Sequence, residues 1–399
     1  MPNVIQLLPE NVANQIAAGE VIQRPSSAVK ELIENAIDAR SSKIDLVIKD
    51  AGKTLIQVID NGIGMTSEDA ELSFQRHATS KIQLANDLYK VNTKGFRGEA
   101  LASIAAIAQV ELKTKRKEDE LGFQIKIEGS NITSKENISC TTGSNILMKN
   151  LFFNVPARRN FLKSDAVETK HIIDEFQRIV LAHPEIHFTM HNNKQVVFDL
   201  PIGTVKQRII NVFGKKYNER LVPVQEKTSI TEISGFILKP EHSKRTRGEQ
   251  FFFVNNRFIK SPYLNHAVNQ AFKELISKEQ HPSYFIFLSI PKETIDINIH
   301  PTKTEIKFQD ERSIYAIVRS TVKSSLGKYS ISPSLDFNQE TSFNVRPLKP
   351  GESIEQPSIK INPNYNPFNK EKNISPQAIE NSIDILKDAD SEFSSNNEI

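Results

Sequence analysis

Two carboxylates and one amide near the N-terminus have the types and spacing suited to binding a metal–nucleotide complex and activating water. Glu31 precedes Asn35 by four residues, and Asp60 begins an Asp-x-Gly-x-Gly turn that contains Gly62 and Gly64. A carboxylate such as Glu31 can act as a general base, and an amide oxygen such as that of Asn35 can bind Mg²⁺ beside phosphates and waters. Glycines remove the side chains that would keep a flat base from the backbone.

The elements that carry these residues are predicted by hydrophobic periodicity. Apolar residues recur at helical spacing over residues 26–39, and Glu31, Asn35 and Asp38 fall on the opposite side of that helix. Residues 44–49 and 54–60 alternate as a strand pair, and Asp60 ends the second strand. Two ordinary interpretations stay open: a solvated helix face, and a strand followed by a glycine turn.

A third segment favours an anion site. Residues 95–101 contain two glycines and run directly into an alanine-rich helix predicted over 99–108. Backbone N–H groups at the start of a helix, together with the helix dipole, bind phosphates well, although many α/β proteins contain glycine-opened helices. The tripeptide at 52–54 imitates the end of a Walker loop, but Val47 stands where the first glycine is required, so we predict a hairpin turn there.

Composition indicates an ordinary globular protein with a basic folded part. The net charge is +3 over 399 residues, but residues 1–330 carry +8 and the remainder −5. Such an excess is compatible with a nucleic-acid partner and with many unrelated enzymes. The single cysteine, Cys140, excludes an internal disulfide, and the histidines show no zinc spacing. No membrane-spanning stretch or signal peptide is recognisable, so we expect a cytoplasmic protein.

The order of elements predicts two α/β domains and a tail. Helices and mostly antiparallel strands over residues 1–205 predict a two-layer α/β sandwich, and strands and helices over 206–330 predict a smaller α/β domain. Residues 331–399 hold 7 of the 19 prolines and are rich in Asn and Ser, which predicts a disordered acidic linker. Because linkers connect two folded parts, we expect a further domain beyond it.

Together the three segments resemble the GHKL ATPase superfamily, which includes gyrase B, the large heat-shock chaperones and histidine kinases. Longer strings narrow the resemblance to the MutL family of mismatch-repair proteins, from residue 4 to about 325. These strings are residues 14–21, Arg24-Pro25, residues 76–81, residues 95–101 and the Asn-x-Pro-Ala-Arg-Arg string at 154–159. The resemblance implies an α+β architecture: a Bergerat-type (GHKL) two-layer sandwich, then a domain like ribosomal-protein S5 domain 2.

The resemblance also implies site roles. Glu31 would be the general base, Asn35 the Mg²⁺ ligand, and Asp60 the acceptor for the adenine amino group, with Gly62 and Gly64 beneath the nucleotide. The implied lid residues are Thr79, Ser80 and Lys81. The phosphate-binding residues would be Gly95, Arg97, Gly98, Glu99, Ala100 and Leu101. Lys303 would reach the γ-phosphate, and Ser144 keeps a hydroxyl near adenine although Asn145 departs from the family pattern.

DNA is an expected partner, bound through phosphates with little sequence preference. The candidate contacts are basic residues in several loops: Arg158, Arg159, Lys163, Lys244, Arg245, Arg247, Arg257 and Lys260. The resemblance further implies a homodimer formed on ATP binding, a MutS-type mismatch-recognition partner and a downstream nuclease or helicase. No endonuclease metal motif is recognisable in this chain. Two alternatives stay open, a DNA-binding scaffold without hydrolysis and another GHKL enzyme such as a topoisomerase subunit.

Overall fold

The structure is a computed structural model, and it describes residues 8–81, 94–95, 98–296 and 305–331. All of these lie in one compact unit that spans Met1–Leu335. The expected linker at 331–399 lies outside the described residues except for its first residue. The predicted boundary between residues 205 and 206 falls inside the compact unit and stays a prediction.

Nine α-helices and fifteen strands are found among the described residues. The helices are α1 Glu10–Val21, α2 Pro25–Asp38, α3 Ser67–Leu72, α4 Ala100–Ile107, α5 Pro156–Phe161, α6 Asp165–Ala182, α7 Val205–Phe213, α8 Pro262–Phe272 and α9 Glu311–Ile331. The strands are β1 Lys43–Lys49, β2 Leu55–Asp60, β3 Gln109–Lys115, β4 Gly122–Glu128, β5 Asn131–Ile138, β6 Gly143–Lys149, β7 His187–Asn192, β8 Gln195–Leu200, β9 Leu221–Lys227, β10 Glu232–Leu238, β11 Gln250–Val254, β12 Arg257–Ile259, β13 Tyr284–Ser289, β14 Ile295–Asp296 and β15 Lys307–Phe308.

An eight-stranded sheet forms the first half of the unit. Its order is β5-β4-β3-β6-β2-β1-β7-β8, and every neighbouring pair is antiparallel except β1 with β7. Alternate residues of the central strands are buried, which is the pattern of a sheet with one covered face. Helices α1, α2, α4 and α6 contribute to the core on that face. The arrangement confirms the predicted two-layer α/β sandwich.

Helix α2 is the element that matters most for the candidate site. Pro25 occupies its first turn, where the missing N–H needs no partner. The predicted apolar stripe is buried: Val29, Leu32, Ile33 and Ala36 are at most 3% exposed, and Ile37 packs against the same core. The polar residues Glu31, Asn35 and Asp38 on the opposite side of the helix are only half-buried.

A five-stranded sheet forms the second half. Its order is β12-β11-β13-β10-β9, with β11 parallel to β13. Helices α8 and α9 supply part of its core. Ser261 caps α8 through the N–H of Leu264 at 3.1 Å, and Pro262 follows at the first helical position. These two residues therefore start the helix.

Some elements were not predicted from periodicity. The edge strand β5 is almost entirely polar and exposed, so no apolar alternation marks it. Helix α7 begins with a capping box formed by Thr204 and Gln207, a signal that the sequence does contain. Within the described residues, no helix is both long and apolar enough to span a membrane.

Candidate nucleotide site

Glu31 lies on the polar side of α2 and is held by its neighbour. The Nζ of Lys30 donates to Glu31 Oε1 at 2.7 Å and, one turn further on, to Glu34 Oε2 at 3.2 Å. Burial opposes a charge on Lys30, but attraction by Glu34 and Glu31 outweighs it and raises the lysine pKa above its usual range. Glu31 thus has a permanently charged partner that limits where its carboxylate can point.

Asn35 lies one turn beyond Glu31, and a cation is placed beside its amide oxygen. The Nζ of Lys81 donates to Asn35 Oδ1 at 3.3 Å and pairs with Asp38 Oδ2 at 2.5 Å. The side chain of Asp38 is only 7% exposed. An amide oxygen and a buried carboxylate are the hard oxygen donors that Mg²⁺ prefers. The residues present therefore fit the metal that the family resemblance implies, with the lysine ammonium standing in for it.

Asp38 also positions the start of the glycine loop. Its Oδ1 accepts the N–H of Lys94 at 2.9 Å and its Oδ2 accepts the N–H of Gly95 at 3.1 Å. A Cβ built on Gly95 would lie 3.7 Å from Asn35 Oδ1, so this backbone borders the side chain of Asn35 directly. Helix α2 and the glycine loop thus form two walls of one small polar space.

Asp60 forms a third, separate polar centre at the end of β2. It is 8% exposed, and its Oδ1 accepts the N–H of Gly62 at 2.8 Å and the hydroxyl of Ser41 at 3.1 Å. Burial raises the pKa of Asp60, while hydrogen bonds from Gly62, Ser41 and the backbone of Ser144 work in the opposite direction. The carboxylate is accordingly held in one orientation before any ligand arrives.

The two glycines of the turn leave no room for side chains. A Cβ at Gly62 would come within 2.6 Å of the carbonyl oxygen of Ala39, and one at Gly64 within 2.1 Å of the carbonyl oxygen of Lys115. Gly64 also has a φ of +69°. Close backbone packing therefore explains the glycine at both positions, and their place beneath a nucleotide stays a prediction.

The segment just before the predicted lid contacts the predicted phosphate loop at the start of α4. The carbonyl of Gly98 accepts the N–H of His77 at 3.1 Å, and Glu99 precedes the first turn, which contains Ala100 and Leu101. Thr79 Oγ1 accepts the N–H of Lys81 at 3.2 Å, and Ser80 is exposed. Arg97 and Lys303 lie outside the described residues.

Sequence reasoning missed two hydroxyls that contact the residues predicted to lie near adenine, Asp60 and Ser144. Ser41 bonds both Asp60 and the carbonyl of Ala36, and Thr114 lies 3.1 Å from the hydroxyl of Ser144 and accepts the N–H of Met65 at 3.0 Å. Thr114 is 1% exposed. Its position in β3, where Val110 and Leu112 mark the buried face, was the available signal.

The basic residues proposed for DNA fall into two groups. Arg159, Lys163, Arg245, Arg247 and Lys260 are exposed. The other three make contacts within the molecule: Arg158 packs its guanidinium against Gly19, Lys244 bonds the hydroxyl of Tyr217 at 3.2 Å, and Arg257 donates to the carbonyl of Lys94 at 3.1 Å. The exposed group fits the DNA prediction better, and the prediction itself stays untested.

Two family models match the chain. Residues 23–152 match the model described as histidine kinase-, DNA gyrase B-, and HSP90-like ATPase, and residues 209–327 match the model described as DNA mismatch repair protein, C-terminal domain. The first match contains Glu31, Asn35 and Asp60 and ends near the last residues of β6.

Curated relatives named DNA mismatch repair protein MutL match almost the whole chain. The protein from Christiangramia forsetii is 58% identical over 371 residues, covering 93% of this chain and 60% of the relative. The protein from Flavobacterium psychrophilum is 59% identical over 372 residues, covering 93% and 61%. The chain therefore spans about 60% of the length of these relatives.

Solved structures share the fold. The N-terminal domain of a DNA repair protein aligns with a TM-score of 0.70 at 26% identity, over 80% of this chain and 99% of that one. The Aquifex aeolicus MutL ATPase domain complexed with ADP aligns with a TM-score of 0.55 at 23% identity, over 76% and 98%. Sequence and fold together place the chain in the MutL family of DNA mismatch repair proteins, as a counterpart of the region that carries the family's GHKL-type ATPase domain.

Proposed function

We infer that this chain binds and hydrolyses ATP as the ATPase region of a DNA mismatch repair protein. The observation that carries the proposal is that Asn35, Asp38 and the Gly95 backbone lie together. Glu31 lies one helical turn before Asn35 on α2. The match of residues 23–152 to the GHKL-type ATPase model supports it. Asp60 lies at the end of the neighbouring strand, where it can accept a hydrogen bond from the adenine amino group.

In the proposed reaction the chain supplies orientation and a base. Glu31 takes a proton from the attacking water, while Lys30 holds one carboxylate oxygen and leaves the other available. The backbone N–H groups of the glycine loop and the first turn of α4 bind the phosphates. Lys303 would add a positive charge at the γ-phosphate, where negative charge develops in the transition state.

Asn35 is the proposed ligand of Mg²⁺, with Lys81 as the residue that must move aside. When bound, Mg²⁺ would neutralise phosphate charge and orient the terminal phosphoryl group. Lys81 can then follow Thr79 and Ser80 as part of a lid over the nucleotide. Because Lys81 is bonded to Asn35 and Asp38, the lid and the metal site cannot rearrange independently.

ATP binding would then be converted into assembly. We propose that lid closure favours pairing of two copies, that the dimer binds DNA through exposed basic residues such as Arg159 and Lys260, and that a MutS-type protein and a downstream nuclease or helicase respond to this state. This chain spans about 60% of the length of relatives that are named DNA mismatch repair protein MutL. Those names favour a role in mismatch repair over a role as a topoisomerase subunit.

The test compares wild type with Glu31→Ala. We expect ADP binding by calorimetry and ATP-dependent dimerisation by size exclusion to be kept, with the hydrolysis rate reduced at least about hundredfold, as for loss of a general base. Glu136→Ala, which removes an exposed carboxylate from the edge strand β5, is the matched control and should hydrolyse ATP normally.

Two outcomes would contradict the proposal. If wild type turned over no ATP above background, the alternative of a DNA-binding scaffold without hydrolysis would be favoured. If a folded Glu31→Ala variant lost nucleotide binding together with turnover, Glu31 would be a binding residue and another group would have to activate water.

A further inference from the structure

We propose that Arg257 is a positioning residue for the nucleotide site, and that it acts by fixing the Lys94–Gly95 backbone from the second sheet. This inference rests on the proposed ATPase function and adds a contact from the other half of the molecule. It changes the interpretation of Arg257, which the sequence alone grouped with candidate DNA contacts. The dipeptide at 94–95 is the shared element, because two separate parts of the chain bond it.

The first side of the contact comes from helix α2, which carries Glu31 and Asn35. Asp38, the last residue of α2, accepts the N–H groups of both Lys94 and Gly95, at 2.9 and 3.1 Å. The same carboxylate binds the ammonium of Lys81, which reaches Asn35. Any shift of the dipeptide would therefore be felt at the proposed metal ligand.

The second side comes from the turn between β11 and β12. The guanidinium of Arg257 donates to the carbonyl of Lys94 at 3.1 Å, and the Nζ of Lys94 donates to the carbonyl of Asn256. Two bonds in opposite directions thus join residue 94 to the tip of this hairpin. Burial, followed by the positive charge of Arg257, lowers the pKa of Lys94 to about 8.

The hairpin is rigid enough to act as a support. Asn255 and Asn256 have φ values of +49° and +62°, as in a tight two-residue hairpin turn. The side chain of Asn255 donates to the carbonyl of Ile290 at 2.9 Å and accepts its N–H at 3.0 Å, so the turn is fastened to the end of β13. Beside it, Arg178 of α6 lies 4.7 Å from the centre of the Phe258 ring.

These contacts surround a small cleft of about 30 Å³ between α2, α6 and the hairpin, lined among others by Lys30, Glu34 and His183. Within it Lys30 pairs with Glu34 and Arg178 with Glu175. Lys94 and Arg257 bond backbone carbonyls of each other's segments, so the cleft serves as a junction between the two sheets. A movement of the second sheet would displace Arg257, then the Lys94 carbonyl, then the N–H of Gly95. The position of the proposed phosphate-binding loop, which starts at Gly95, would therefore depend on the second sheet.

The test measures steady-state ATP hydrolysis for Arg257→Gln, Arg257→Lys and the control Lys273→Gln, which removes an exposed charge from the end of α8. We expect Arg257→Gln to raise KM for ATP between about three- and thirtyfold with a smaller change in kcat, since orientation of the nucleotide is what is lost. Arg257→Lys keeps a charged donor and should recover part of the loss. Lys273→Gln should match wild type.

A double-mutant cycle with Asp38→Asn distinguishes positioning from general destabilisation. Because Asp38 and Arg257 hold the same dipeptide, the ADP dissociation constant of the double variant should lie within about twofold of the weaker single variant. Independent, multiplicative effects would overturn the inference. So would an Arg257→Gln variant with normal ATP constants and weakened binding to duplex DNA, which would return Arg257 to the DNA surface.

The failure of this inference differs from failure of the proposed function. If wild type neither bound ADP nor hydrolysed ATP, both would fall together. If wild type bound and hydrolysed ATP, while Arg257→Gln and Arg257→Lys were unaltered in every constant, only the positioning role would fall. Unfolding midpoints of each variant show whether a lost activity reflects a lost fold, and Arg257→Lys remains the informative variant if Arg257→Gln does not fold.

Discussion

At the scale of single residues, Asp60 is a buried acidic side chain that hydrogen bonds hold in one position. Its carboxylate is 8% exposed and is bonded by Gly62 and Ser41. The sequence could nominate Asp60 from the Asp-x-Gly-x-Gly pattern. It could not nominate Ser41, since a serine between a helix and a strand has many uses and only the folded chain brings it to within 3.1 Å of Asp60.

The raised pKa of Asp60 predicts that this residue lowers the stability of the ligand-free fold at neutral pH, although it is proposed to bind the nucleotide. A carboxyl group with a raised pKa in the folded state stabilises the fold below its unfolded pKa, and that contribution is lost as the pH rises through the folded pKa. Asp60→Asn should therefore melt at a higher temperature than ligand-free wild type at pH 7, with the difference shrinking on acidification. Its ADP affinity should fall about ten- to a hundredfold, since a hydrogen bond to a charged group is lost.

Thermal melts with and without ADP, repeated between neutral and acidic pH, check both parts. A variant that melts lower than wild type at pH 7 would mean that the bonds to Asp60 outweigh the effect of its burial. A variant that keeps the full ADP-dependent rise in melting temperature would remove Asp60 from the site.

At the scale of elements, helix α2 was predictable and its partners were only partly so. Its apolar stripe is periodic, and the predicted range of 26–39 differs from the observed Pro25–Asp38 by one residue at each end. The meeting of α2 with the 94–95 backbone could not be predicted. It depends on a bond between Asp38 and a loop 57 positions later, and no local pattern encodes that distance.

The start of α4 gives a prediction at this scale. Gly98 has a φ of +64°, and a Cβ there would lie 2.3 Å from the carbonyl oxygen of Ala78. Gly98→Ala should destabilise the fold by roughly 1–3 kcal/mol and raise the ADP dissociation constant about tenfold, because the proposed phosphate loop is pushed away from the segment that leads into the proposed lid. Gly214→Ala is the control, with φ +101° and no atom within 4 Å of the added Cβ.

Urea unfolding and calorimetric ADP titration separate the two variants. Both should unfold at lower urea than wild type, because both force alanine into a left-handed conformation. Only Gly98→Ala should bind ADP more weakly. Equal ADP affinities in the two variants would show that the Gly98 contact matters for the fold alone.

At the scale of the whole molecule, the two sheets are joined by buried side chains as well as by the chain itself. A core cluster combines Leu181 and Ala182 of α6 with Ile209 of α7 and with Phe253 and Phe285 of the second sheet. Next to it, Arg208 is 1% exposed and donates to the carbonyls of Pro184, Ile186 and Pro201 at 3.1, 2.6 and 3.2 Å. Burial lowers the pKa of Arg208 to about 10, so it remains charged at neutral pH.

Arg208→Met should weaken the attachment of α7 to the first half of the unit. The variant keeps the apolar stem but leaves three carbonyl groups without their donor, so we expect a loss of roughly 2–4 kcal/mol in the free energy of unfolding. In wild type the two halves should unfold together, because one core cluster contains residues of both. The urea unfolding curves recorded by circular dichroism and by intrinsic tyrosine fluorescence should coincide for wild type and differ for the variant. If wild type and the variant were equally stable, the apolar cluster alone would hold the two halves together.

The close packing around Gly64, Gly143 and Gly235 limits the substitutions that these three positions can tolerate. A Cβ at these positions would lie 2.1, 2.0 and 2.0 Å from the carbonyl oxygens of Lys115, Asp60 and Phe285, which are backbone atoms that cannot rotate away. Every missense change of a glycine codon adds a Cβ, whichever base is altered. In a saturation library of this chain screened for folded protein and for the proposed ATP hydrolysis, these three codons should tolerate only synonymous changes, in the second half as much as beside the candidate nucleotide site.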